Sequence, residues 1–169
     1  MRYRLREIKP RQVLCDAVEF YNPLHDMSLP IVAAALNGAD AAVFEVPLVY
    51  QKSAKEEAYE VQRMPPSRRS GQIELPLSQG ELAAKLRARD HGYSLLQQQM
   101  GPVLSGLSVA HLATECVAPA PSSLPTPSPD CILRYEWRAQ MLIQRNEIAR
   151  PILYAQHYLP VASALFGAS

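Results

Sequence analysis

From residue 133 onward, apolar and polar side chains alternate almost one for one. Leu133, Tyr135, Trp137, Ala139, Met141 and Ile143 interleave with Arg134, Glu136, Arg138 and Gln140. Successive side chains of an extended chain point to opposite faces, so the pattern predicts a strand with one apolar and one polar face. A slip of one residue would bury the arginines, which fixes the register. After the polar turn QRNEIA, residues 151–159 read as a second arm, with Ile152, Tyr154, Gln156 and Tyr158 on one side and Leu153, Ala155, His157 and Leu159 on the other. Together the two arms predict an antiparallel hairpin that needs a covering layer.

The upstream chain supplies helices for that layer. Ser28 and Pro30 suit a helix start, and Ile31, Val32, Ala35 and Leu36 follow at helical spacing before Asn37 and Gly38. Residues 42–51 read as a strand that Pro47 confines to an edge or a bulge. A second strand around 59–64, the turn PPSRRSG and a returning strand at 72–75 follow. Ser78 with Glu81 has the spacing of a capping box, which predicts a helix over 79–89. A further helical piece, residues 93–100, ends at Gly101 and Pro102. Residues 1–22 fit a strand, a helix or an arm across the core. No fixed-period repeat is present. The sum is an α+β fold: a mostly antiparallel sheet with helices on one face.

The stretch APAPSSLPTPSPD, residues 118–130, favours extended polyproline II backbone. Because fewer than about 50 residues follow it, too few for a good independent core, it reads as an exposed connector over 119–130 inside a single domain spanning 1–169. No apolar run approaches the roughly 20 residues that span a bilayer, so a membrane partner is not expected. The net charge of +1 gives no field to gather a polyanion, so nucleic acid is not expected either. Arg63, Arg68 and Arg69 beside Pro65 and Pro66 read as a solvated loop. Cys15, Cys116 and Cys131 lack CxxC spacing, and the start MRYRLREIKP lacks a signal-peptide core, which points to a reducing cytoplasm. The four histidines are too scattered in sequence for a zinc motif.

The segment WRAQMLIQRNEIARPILYAQHYLP resembles the terminal hairpin of the chorismate lyases, also found in the effector domains of GntR-type regulators. Nine residues follow Pro160, a position that favours the lyase arrangement. Asp26, Ser28 and Leu29 look like that family's early helix start, FEVPLVYQ like its next strand, LPLSQGELAAKL like its turn and helix, and QMGPVLSGLS like its pocket-lining segment. The resemblance implies a chorismate-lyase-like fold with a pocket for a small aromatic carboxylate, cleaving chorismate to 4-hydroxybenzoate and pyruvate without metal or organic cofactor.

The same resemblance assigns roles. The family's glutamate at the reacting end falls on Gln156, which cannot exchange a proton at neutral pH but can donate a hydrogen bond to the ether oxygen. The family's carboxylate-binding arginine falls on Tyr59 or Arg63 according to the alignment, and Arg63 is preferred. Met100, Gly101, Arg138, Tyr154 and Leu29 complete the implied substrate site. An arginine clamp in a dry pocket gives charge-assisted bonds worth roughly 1.5–3 kcal/mol. On the residues alone, Gln156 and Arg63 read as surface groups, and Arg134 and Arg138 as cross-strand partners of acids. Two other readings stay open: a non-catalytic module for a small aromatic or carboxylate ligand, and an interaction protein that docks through its proline-rich stretch.

Overall fold

The computed structural model describes residues 7–37, 39–52, 59–92, 98, 101, 103, 107–129 and 131–167. The fold is α+β, as the sequence predicts. Its elements are β1 (Gln12–Asp16), α1 (Pro23–Asp26), α2 (Ser28–Leu36), β2 (Ala42–Val46), β3 (Val49–Gln51), β4 (Tyr59–Val61), a 3-10 turn (Pro66–Gly71), β5 (Ile73–Pro76), α3 (Gln79–Arg87) with a π-helical extension (Ala88–Gly92), α4 (Val109–Leu112), β6 (Thr114–Pro119), α5 (Arg134–Gln144), a π turn (Tyr154–Tyr158) and α6 (Leu159–Phe166). A four-stranded sheet runs β1-β2-β6-β5, and β3 and β4 form a separate antiparallel ladder. The β1–β2 pair is parallel, in register from Gln12 opposite Ala42 to Asp16 opposite Val46. The β2–β6 and β5–β6 pairs are antiparallel. No helix among the described residues is long and apolar enough to cross a membrane.

Several local expectations hold for identifiable reasons. Ser78 and Glu81 form both halves of the capping box that starts α3. Residues 12–16 resolve the N-terminal ambiguity as a strand that leads into an arm. The strand expected over 42–51 divides into β2 and β3 at the fully buried Pro47, which has no N–H for a ladder. In α2 the N-cap position is Met27 rather than Ser28, whose hydroxyl accepts from the Asp16 amide instead at 3.2 Å. The expected helix at 93–100 lies almost wholly outside the described residues.

The terminal hairpin is corrected. Residues 134–144 are helix α5, not a strand. Glu136, Arg138, Ala139, Gln140, Met141 and Leu142 are strong helix formers, and Tyr135, Ala139 and Leu142 stand at i, i+4 and i+7, a helical stripe hidden inside the alternation. The second arm is also helical. A π turn covers Tyr154–Tyr158, and Pro160 falls in the first turn of α6, where a missing N–H costs nothing. Leu159, expected to end the second arm, thus starts a helix instead. The strand β6 carried no pattern strong enough to predict it.

The main core joins β1, the 17–21 arm, α2, the π turn and α6 through Cys15, Val18, Phe20, Leu29, Val32, Leu36, Tyr154, Tyr158 and Ala162. Burying a Val, Leu or Phe side chain contributes about 1.5–3 kcal/mol. The proline-rich connector has no helix or strand from 120 to 129, as expected, but it is not wholly exposed: Ala120 and Leu124 pack against this core.

Candidate functional site

Where α2 packs against α6, with β2 and the start of the connector beside them, the surface opens into a cavity of about 260 Å³. Leu29 and Ala33 reach it from α2, one helical turn apart. Val43 comes from β2, Ala120 and Pro121 follow β6, and Phe166 closes the far end of α6. Every lining side chain is apolar. Such a wall rewards burial of hydrocarbon or an aromatic face and offers no side-chain donor or acceptor for a charged group, whose desolvation would go uncompensated.

Around the 17–21 arm lie buried carboxylates that sequence reasoning did not identify as a group. Asp26, Glu19 and Glu45 are 1%, 6% and 0% exposed. They catch three successive backbone amides of the 17–21 arm. The Val18 N–H donates to Glu45 Oε1 at 3.1 Å, and the Glu19 and Phe20 N–H groups donate to Asp26 Oδ1 at 2.8 and 3.1 Å. The Glu19 carboxylate in turn accepts from the Leu48 and Val49 amides at 3.0 and 2.8 Å. These bonds hold Phe20 at φ 58°, a left-handed conformation that a residue with a Cβ adopts at a cost of about 1–2 kcal/mol.

Burial dominates the ionisation of Glu19 and Asp26. Desolvation raises Glu19 to about 8 and Asp26 to about 7, although the backbone N–H donors pull both the other way. Glu45 is paired with the Arg68 guanidinium, whose Nη1 lies 3.3 Å from Oε1 and whose Nη2 meets Oε2. Arg69 bridges Glu60 at 2.9 Å and the Tyr50 hydroxyl at 3.0 Å. Arg68 is therefore a structural cation rather than part of a solvated loop, a pairing across the fold that local composition could not reveal, whereas Arg69 stays exposed as the sequence predicts.

Of the residues singled out by sequence, Leu29 lines the cavity, and Tyr154 sits in the core that backs it, edge-on to Phe20 and stacked on Tyr158. Gln156 does not join them: it is exposed on the π turn, where helical winding removes the strand geometry that would have aimed it with Tyr154 and Tyr158. Arg63 is half-buried, with Nη1 donating to the Gln62 carbonyl at 2.8 Å and lying 3.1 Å from Cys116 Sγ. Arg138 is exposed on α5. Gly101 has helical backbone with open space around its Cα, and Met100 lies outside the described residues. His157 caps the π turn, its Nδ1 accepting from the Leu153 amide at 3.0 Å.

The thiols are free, and burial pushes Cys15 and Cys131 up to about 11. At neutral pH both are protonated and poor nucleophiles. No protein-family model, curated protein or solved structure matches the chain.

Proposed function

We propose that this chain is a non-catalytic binding module for a small aromatic molecule of hydroxybenzoate size, its ring held in the cavity between α2 and α6. The observation that carries the reading is the all-apolar lining formed by Leu29, Ala33, Val43, Ala120, Pro121 and Phe166 around about 260 Å³. That volume falls just below the usual range for drug-sized ligands, roughly 300–1,000 Å³. A carboxylate or hydroxyl on the ring stays at the open mouth in water. A ten-atom ligand at about 0.5 kcal/mol per heavy atom binds with a Kd on the order of 0.2 mM.

The similarity of the terminal segment to chorismate lyases brings chorismate and 4-hydroxybenzoate forward as first ligands to try. It does not bring catalysis. Gln156 is exposed, and Arg63 is engaged by a carbonyl and a thiol. The decisive experiment is a thermal-shift and calorimetric titration with benzoate, 4-hydroxybenzoate and chorismate, with pyruvate release followed in parallel. At about ten times Kd, binding stabilises by about 1.4 kcal/mol and raises Tm by about 3 °C. An unchanged Tm with all three ligands would overturn the binding reading, and steady pyruvate release would replace it with an enzymatic one.

A further inference from the structure

Three oxygens in the core beside the cavity share an unusual situation. Asp26 Oδ2, the Tyr135 hydroxyl and the Tyr154 hydroxyl are all buried, and none has a hydrogen-bond partner among the described residues. Buried polar atoms are otherwise almost always satisfied, by protein or by an ordered water. The three belong to one neighbourhood. Phe20 donates its amide to Asp26 while its ring packs edge-on against Tyr154 at 5.8 Å. Tyr158 donates its hydroxyl to the Asp26 carbonyl at 3.0 Å while its ring stacks on Tyr154 at 5.5 Å. Tyr135 packs against the same core cluster. The Asp26 charge is felt by both orphan tyrosines, raising their pKa values in addition to burial.

We propose that Asp26 Oδ2, Tyr135 Oη and Tyr154 Oη form an interior polar site, separate from the apolar cavity, that holds one small uncharged hydroxylic guest, which in the resting protein is a water molecule. These oxygens do not bond one another directly, so a bridging molecule is the way to satisfy all three together. Water both donates and accepts, and a buried water typically makes about three hydrogen bonds. The carboxyl of Asp26 and two phenols can supply or receive protons in either sense. An anionic guest is disfavoured because Asp26 and the two phenols offer it no countercharge, and it would carry its full desolvation cost.

The sign of a stability change tests the proposal. A tyrosine hydroxyl that is truly orphaned makes the protein less stable than phenylalanine would. A hydroxyl bonded to a held water contributes, and its removal strips a partner from water and from the other two groups. Tyr135→Phe and Tyr154→Phe are each expected to lower Tm by about 2–4 °C. The double variant should lose less than the sum, since both hydroxyls serve one guest. Water-deuteron relaxation dispersion should count one fewer long-lived interior water in the double variant than in the wild type. A raised or unchanged Tm in both single variants, strictly additive losses, or an unchanged count of long-lived waters would each overturn the assignment.

Discussion

The hydroxyl of Tyr158 donates a 3.0 Å hydrogen bond to the backbone carbonyl of Asp26, joining residues 132 positions apart and tying the C-terminal π turn to the N-terminal helices. Tyr158 is 3% exposed, so the carbonyl has little access to replacement water. Tyr158→Phe should destabilise the fold by about 1–2 kcal/mol, seen as a lower urea midpoint with an unchanged slope. A midpoint equal to wild type would mean that this link contributes nothing.

The buried carboxylates make stability depend on pH in an unusual direction. Glu19 and Asp26 have folded-state values near 8 and 7, above the ordinary carboxylate range. The folded chain therefore binds more protons than the unfolded chain between about pH 4 and 8, and unfolding free energy declines with rising pH across that window. Stability associated with these groups is full below about pH 4 and is lost as the pH rises through 7 to 8. Urea midpoints at pH 5, 6.5 and 8 should fall in that order. Asp26→Asn keeps an acceptor for the Glu19 and Phe20 amides but removes one titration, so its decline should be shallower. A midpoint that rises from pH 5 to 8 would contradict this account.

Glu45 and Arg68 make a second buried electrostatic centre. Glu45 is fully enclosed and Arg68 largely so. Removing one partner leaves an uncompensated charge, so Arg68→Ala is expected to cost about 3–5 kcal/mol, while Glu45→Gln with Arg68→Met should cost markedly less than the two single changes added. A double-mutant cycle by chemical denaturation measures the coupling. Additive losses would show that the pair acts as two independent polar groups.

The parts of this architecture that were legible in sequence are those fixed locally. Ser78 and Glu81 determine their own helix start because both partners lie within one turn. Pro47 interrupts a strand through its missing N–H wherever that strand lies. The terminal segment misled because Tyr135, Ala139 and Leu142 satisfy a helical period while their neighbours also satisfy alternation, and packing of Tyr135 on the core decides between them. The buried carboxylates were illegible for a related reason. Asp26 and Glu19 have local sequence neighbours like those of surface acids, and their burial depends on β2, β3 and the π turn, which arrive from distant positions. Within the candidate site, Leu29 was identifiable, whereas Val43, Ala120 and Phe166 join it only through tertiary packing.

That packing leads to a prediction that separates binding at the cavity from the chemistry suggested by the terminal motif. Ala33 lies on α2 one turn from Leu29 and contributes a single methyl to the wall. Ala33→Phe would place a ring in the space proposed for the ligand, burying apolar surface worth up to about 2 kcal/mol less any strain. Its Tm should match or exceed that of wild type, and the ligand-induced shift should vanish. Gln156→Glu, by contrast, changes an exposed turn residue and should alter neither ligand affinity nor pyruvate release from chorismate. Calorimetry and a coupled pyruvate assay on the same two proteins check both halves. Retained affinity in Ala33→Phe would move the ligand out of this cavity, and a large gain of lyase activity in Gln156→Glu would place residue 156 at the reacting centre instead.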